Sequence, residues 1–322
     1  MNVVGLGGGI GASRLWRILA PYIGAQQLSI IVNTGEDLWQ YGVRICPDLD
    51  TTLYALSDRQ DLDRGWGLKN ETFITMDAIR ELGHDVWFNL GDQDLATHFL
   101  RTGWLREGIG LADVTKRLAT SMGVEANVLP MSNDEVTTTV FTDDGRDLHY
   151  EEFLVREACR PRPLAVTYAG VENATPAPGV LAAIANADVI VIAPSNPVAS
   201  IDPILAVPGI RAALRARSDD VIAISPIVAR VPIEHPGEAR RADSRARLLQ
   251  MQGSAATPTA VAQRYAALCS RFVVDTSDAV EAEGIAQLGI TPIVAPLLVH
   301  QRADPRALLE AVTASHTAKA IA

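Results

Sequence analysis

The sequence predicts an α/β fold, a mostly parallel sheet with helices on both faces. Short apolar runs of the buried-strand type alternate with segments of helical pattern along most of the chain. Such alternation implies crossovers that cover both faces of a parallel sheet. Several of these runs end in small, polar residues, and open α/β sheets bind ligands beyond the carboxyl ends of their strands. With 322 residues, 48% of them apolar, the chain can build one large domain or two smaller ones around an ample core.

The elements follow in order. Residues 2–6 are a first apolar strand ending in glycines, 12–19 a helix and 28–32 a second buried strand. A helix is expected at 50–56 with Asp50 or Thr51 as cap, because such side chains accept from the exposed amides of a first turn. Another follows at 72–82, capped by Asn70 or Thr72, then a strand at 86–90 and helices at 92–107 and 111–122. The texture then changes. Residues 127–129, 136–141 and 148–150 read as strands, with Asp143-Asp144-Gly145 as a hairpin turn. Alternation resumes with strands at 164–168, 189–193, 221–225, 272–275 and 290–295. A helix at 178–186 carries its proline early, where helices tolerate it, and another closes the chain at 304–318. The Pro/Gly/Arg-rich stretch 231–247 reads as a mobile loop or lid.

Composition narrows the partners. A net charge of −10 argues against a nucleic-acid backbone, but not against a nucleotide held by local loops. Lysine occurs only at Lys69, Lys116 and Lys319, so nearly all positive charge is arginine. Cys46, Cys159 and Cys269 are odd in number and form no CxxC pattern, as expected of a reduced, cytoplasmic protein. The chain opens directly into a strand, without the basic region and apolar core of a signal peptide, and no apolar run reaches membrane-spanning length.

Five expected strand ends carry the chemistry: Gly7-Gly8-Gly9-Ile10-Gly11, Asn33-Thr34-Gly35-Glu36-Asp37, Gly91-Asp92-Gln93-Asp94, Pro194-Ser195-Asn196-Pro197 and Ser225-Pro226. Together they argue for one shared pocket. Glu36, Asp37, Asp48 and Asp50 fall within fifteen positions. Carboxylates brought together repel unless a positive charge joins them, and Mg²⁺ takes one or two carboxylates along with phosphate oxygens. A glycine-rich turn at a helix N-terminus offers backbone N–H groups to phosphate. The combination points to phosphoryl chemistry.

Plainer readings stand beside these. Gly7, Gly9 and Ala12 fit a dinucleotide fingerprint, but Asn33 stands where that fingerprint needs an acid for the ribose. No lysine lies near the turn, so a Walker A loop is excluded. Asp48 and Asp50 could be helix caps. Asp92 and Asp94 suit a helix start regardless of function, and Ser195-Asn196-Pro197 could be only a turn. His98 reads as a packed or solvated helix residue.

Over nearly its whole length the chain resembles the 2-phospho-L-lactate transferase family of coenzyme F420 biosynthesis, called CofD in archaea and FbiA in actinobacteria. The resemblance rests on an ordered set of motifs. They are Val32-Asn33-Thr34-Gly35-Glu36-Asp37, Cys46-Pro47-Asp48-Leu49-Asp50-Thr51, Gly65-Trp66-Gly67-Leu68-Lys69, Leu90-Gly91-Asp92-Gln93-Asp94, Pro130-Met131-Ser132-Asn133, Ala193-Pro194-Ser195-Asn196-Pro197 and Ser225-Pro226-Ile227. The resemblance implies a single Rossmann-like domain over 1–322 with a small inserted α+β subdomain, which the hairpin-bearing stretch at about 127–160 matches. It implies transfer of a phospho-hydroxyacid unit from a guanosine diphospho-conjugate to the terminal hydroxyl of the deazaflavin Fo, with release of GMP. It implies a homodimer.

Roles then fall on matching positions. Asp37 and Asp50 would lie at the reacting centre and hold Mg²⁺. Gly8, Gly9 and Gly11 would meet the diphosphate, and Ser195 and Asn196 the guanosine half. Asn89 and Asp50 match positions that meet Fo. Asn33, Asp48 and Ser225 complete the substrate-binding set.

The chain departs from the family where Ser225-Pro226-Ile227 leads to Val228-Ala229-Arg230-Val231-Pro232, and where His235-Pro236 replaces Gly-Pro. The altered segment 228–247 is a lid or a specificity loop, and the acid on the donor is 2-phospholactate, phosphoenolpyruvate or 3-phosphoglycerate. The rival reading is a nucleotide-sugar-binding regulator of the YvcK type. That branch shares the glycine turn and the Ser-Asn-Pro region but lacks Pro-Asp-Leu-Asp-Thr, which is present here.

Overall fold

The computed structural model describes residues 1–298 and 306–319. β1 (Val3–Gly7) runs into α1 (Gly9–Ile23), followed by β2 (Leu28–Val32) and a small hairpin of β3 (Leu38–Gln40) and β4 (Val43–Ile45). Helices α2 (Pro47–Leu56), α3 (Ile74–Glu81), α4 (Asp92–Arg106) and α5 (Leu111–Ser121) come next. Then come β5 (Asn127–Pro130), β6 (Thr137–Thr142), β7 (Asp147–His149) and β8 (Pro163–Ala169). Beyond them lie α6 (Val180–Asn186), β9 (Val189–Ile192), α7 (Asp202–Ala206), α8 (Ile210–Arg215) and β10 (Val221–Ile224). The chain continues through α9 (Pro236–Met251), α10 (Pro258–Tyr265), β11 (Arg271–Val274), α11 (Ala282–Gln287), β12 (Thr291–Val294) and α12 (Arg306–Lys319).

The main sheet has seven strands in the order β12-β11-β10-β9-β1-β2-β5, and its neighbouring strands run parallel. Val3, Val189 and Val191 join the apolar core on one face, while Val4, Leu6, Ile190 and Ile192 join the core on the other. That split is the two-residue period of a strand. Because both faces are covered, each strand reads as a continuous apolar run. Helices α1, α2, α5 and α12 cover one face, and α6, α8, α9 and α10 the other. Gly5 in mid-strand makes room for the indole of Trp16, which a Cβ there would approach to 2.4 Å. Strand order turns around between β9 and β1, so the loops after these two strands diverge and leave a crevice.

Several elements differ from expectation. Residues 86–90 form no strand. Their apolar side chains instead pack, with Leu38, Val43, Ile45, Met76 and Leu95, in a separate cluster under the β3–β4 hairpin. α2 begins at Pro47, whose ring suits a first helical position. Asp48 and Asp50 therefore lie in its first turn and neither caps it. α3 begins at Ile74 without Asn70 or Thr72 as cap. Its first amides, of Ile74 and Thr75, donate instead to the Asp92 carboxylate at 2.9 and 3.0 Å.

β5 belongs to the main sheet beside β2, whereas β8 joins a three-stranded antiparallel sheet in the order β7-β6-β8. The hairpin turn falls where expected, with Gly145 at φ 83°. Segment 231–247 is largely the polar helix α9, with His235 Nδ1 accepting from Gly237 N at 3.2 Å at its start. Residues 304 and 305 of the expected closing helix lie outside the described residues. Cys46, Cys159 and Cys269 are buried and unbonded, and among the described residues no helix is long and apolar enough to cross a membrane.

Candidate active site

A cavity of about 1100 Å³ opens at the crevice between β9 and β1. The glycine turn forms part of its wall, and close approach explains its composition. A Cβ on Gly8 would lie 1.9 Å from Asp48 Oδ2, and one on Gly11 would lie 2.3 Å from the Pro194 carbonyl oxygen. Ser195 ties the two central strand ends together: its Oγ donates to the Gly8 carbonyl at 2.8 Å and accepts from Gly8 N at 3.1 Å. Asn33 ties in the next strand. Its Nδ2 donates to Asp48 Oδ2 at 2.9 Å and to Glu36 Oε1 at 3.2 Å, and its Oδ1 accepts from Gly35 N at 2.9 Å. Asn33 Nδ2 also donates to the Ala199 carbonyl at 3.4 Å, so the ends of β1, β2 and β9 are linked by two side chains the sequence had singled out.

Glu36, Asp48 and Glu151 form an acidic wall of this cavity. Burial pushes Asp48 up to about 6, against the hydrogen bonds from Asn33 and Gly9 N–H. Burial and the charge of Asp48 push Glu151 up to about 8 and hold Glu36 well above the usual carboxylate range. Asp37 is pushed up to about 7 by burial, which outweighs the pull of Arg44 3.7 Å away. Both Asp37 oxygens are buried without a hydrogen-bond partner. Asp48, Asp37 and Glu151 are thus held closer to neutrality than ordinary carboxyls, which suits a group that exchanges a proton.

A second network runs along α4. Arg101 donates from Nη1 to Asp50 Oδ2 at 3.0 Å and from Nη2 to Asp50 Oδ1. His98 sits between two carboxylates, with Nδ1 3.6 Å from Asp50 Oδ2 and Nε2 3.4 Å from Asp94 Oδ2. The Tyr54 hydroxyl donates to Asp94 Oδ1. Burial works against ionisation of Asp94, but His98 and Tyr54 together hold its carboxyl below its ordinary value. Asp50, Asp94 and His98 offer ligand atoms within 4.8 Å of one another. Arg101, bound to Asp50 and 3.2 Å from His98 Nδ1, already supplies positive charge there.

Of the residues expected at the site, Gly8, Gly9, Gly11, Asp48, Asp50, Asn89, Ser195, Asn196 and Ser225 line this one cavity. Asn33 and Asp37 are buried beside Asp48 and Arg44 and do not line it. Some side chains are already committed to the fold. Asn196 Oδ1 accepts from the amides of Val198 and Ala199, Ser225 Oγ closes a turn onto Ile227, and Asn89 Oδ1 accepts from Arg80. Not singled out from the sequence were Tyr54, Arg101, Tyr150, Glu151 and the rings of Trp87 and Phe88; His98, read as packed or solvated, is packed, and Trp66, quoted only within a motif, lines the cavity. The spacing of Asp94, His98 and Arg101 places all three on one helix face, and that spacing was the available signal.

Fold and cavity define an open-sheet α/β protein whose cavity, rich in glycine and buried acid, lies where strand order turns around. Residues 3–298 match the family model of 2-phospho-L-lactate transferase CofD. The chain is 41% identical over 297 residues to a phosphoenolpyruvate transferase of Kitasatospora aureofaciens, covering 89% of this chain and 90% of that one. It is 38% identical over 307 residues to a 2-phospho-L-lactate transferase of Methanosarcina acetivorans, covering 95% and 96%. It also shares its fold with a solved structure of a UPF0052-family protein from Bacillus halodurans, at a TM-score of 0.60, 21% identity and 92% coverage of both chains. The chain belongs to the CofD family of transferases.

Proposed function

We propose that this protein transfers a phospho-hydroxyacid unit from a guanosine diphospho-conjugate to the terminal hydroxyl of Fo, a step of coenzyme F420 biosynthesis in the cytoplasm, and that it works as a homodimer. One observation carries the reading beyond family membership. A single cavity is lined by the glycine turn, by buried acids and by the rings of Trp66, Trp87 and Phe88. The first suits a diphosphate, the last a flat deazaflavin.

In the reaction, the Fo hydroxyl oxygen bonds to the phosphorus that carries the acid. The bond from that phosphorus to the bridging oxygen breaks, and its electron pair leaves with GMP. Asp48, which lines the cavity against the glycine turn and is lifted by burial to about 6, would accept the hydroxyl proton. Gly8 N–H and Gly9 N–H are already taken by Ser195 and Asp48, so the first-turn N–H groups of Ile10 and Gly11 would hold the diphosphate in line, which is the main demand of phosphoryl transfer. Asp37 lies outside the cavity beside Arg44 and Asp50 is held by Arg101, so Mg²⁺ would join either carboxylate only by exchanging an arginine. When bound, the ion would neutralise charge on the diphosphate and the leaving group.

The test is a fluorescence titration of the purified protein with Fo, with and without Mg²⁺, followed by turnover assays with the three guanylated acids. Saturable Fo binding and formation of a phosphodiester product are expected. No Fo binding in either condition sinks the proposal, and a UDP-sugar titration would then examine the regulator reading.

A further inference from the structure

Helix α9, the segment where the chain departs from its family, brings charge to the cavity wall. Glu238, Arg241 and Arg245 line the cavity, and their spacing places them on one face of the helix. Glu238 is paired with Arg14 of α1 at 2.8 Å. Arg241 and Arg245 are different. Both are half-buried, and among the described residues neither makes a hydrogen bond or an ion pair. Burial pushes both guanidinium groups below their ordinary range, the expected sign for cations held away from water without a partner in contact.

The helix that carries them is pinned in place. Ser244, fully buried beside Arg245, hydrogen-bonds the Tyr150 hydroxyl at 3.0 Å, and that hydroxyl accepts from Asn196 Nδ2 at 3.3 Å. Leu248 and Leu249 anchor the next turn in the core. The helix turn that carries the two arginines is therefore fixed on the cavity wall before any ligand arrives, and an anion that meets them displaces no ion pair among the described residues.

We propose that Arg241 and Arg245 bind the carboxylate of the acid carried by the donor and so select donors that bear one. The proposal rests on the transferase reading above and adds the residues that read the acid. A guanidinium fork matches a carboxylate through two parallel hydrogen bonds. The diphosphate has its own donors at the glycine turn, on a different element of the wall, so the arginines remain for the acid.

The experiment measures affinity for GDP and for the guanylated forms of phosphoenolpyruvate, 2-phospholactate and 3-phosphoglycerate. It uses the wild-type protein and the variants Arg241→Gln, Arg245→Gln and Arg245→Lys. The wild type should bind at least one guanylated acid more tightly than GDP. Each Gln variant should lose about tenfold on that donor, near the value of a charge-assisted hydrogen bond, with GDP affinity held within about twofold. Turnover should show a raised KM with kcat nearly kept, and Arg245→Lys should recover part of the loss. Equal weakening toward GDP and donor would place the arginines on the diphosphate and overturn the proposal. Unchanged affinities would overturn it as well. A wild type that binds no guanylated acid refutes the transferase reading and this proposal together, and that result is visible without any variant.

Discussion

Arg101 of α4 grips the carboxylate of Asp50 on α2 with both of its terminal nitrogens, and both side chains are almost fully buried. Removing one partner of a buried pair strands the other charge, at a cost of about 3–5 kcal/mol. Arg101→Gln should lower the urea midpoint accordingly. The double variant Arg101→Gln with Asp50→Asn should recover part of the loss, since no unpaired charge remains. Strictly additive losses would show that the two residues are not coupled.

If the transferase reading holds, Asp50→Asn should cut turnover by about a hundredfold or more, the scale of losing one electrostatic contact at a reacting centre. Circular dichroism should show a folded chain, with the urea midpoint lowered because Arg101 loses its partner. Full activity in this variant would remove Asp50 from the reacting centre.

The raised carboxyls make stability fall with pH. Glu151 moves from 4.5 to about 8, so the folded chain keeps a proton that the unfolded chain releases. That contribution is complete below about pH 4 and is lost as pH climbs toward 8. Asp48 at about 6 and Asp37 at about 7 act in the same direction. Glu151→Gln stays neutral throughout, so its Tm relative to wild type should rise between pH 5 and pH 9, by about 2 °C or more. A difference that is flat or falling across this range would contradict the assigned direction.

Two glycines should respond in opposite ways to alanine. A Cβ on Gly11 meets the Pro194 backbone oxygen at 2.3 Å. Gly11→Ala should therefore cost about 1–3 kcal/mol by overpacking and weaken GDP binding. Gly103 lies inside α4 with nothing within 4 Å of the new atom. Gly103→Ala should gain about 0.5–1 kcal/mol through helix propensity and leave binding unchanged. Thermal melts of the two proteins separate these cases directly.

Much of this architecture could be read from side-chain pattern alone, and the failures have physical causes. The runs at 28–32, 189–193 and 221–225 are buried on both faces, so their apolar continuity marked them as strands. The run at 86–90 is equally apolar but packs under the β3–β4 hairpin and finds no strand to pair with. Apolar content reports burial, and pairing is a tertiary fact. Helix α9 was hidden for the opposite reason: one face lines a cavity and asks for charge, so only Ser244, Leu248 and Leu249 are buried. At the site, Gly8, Asp48 and Ser195 were legible because glycine and acid at strand ends are unusual. Arg101 was not, because it lies 51 residues downstream of Asp50 and meets it only through the fold.

The two outer strands of the main sheet, β5 and β12, are each four residues long, and each includes a proline, Pro130 and Pro292. A proline withholds an amide proton that an incoming strand would need. Both rims of the sheet are thereby poor templates for another chain, whether folded or partly unfolded. Two copies that associate would do so through helices or loops rather than by extending the sheet. A crowded or heat-stressed solution of this protein has correspondingly little means of seeding fibrils from the rims of its main sheet.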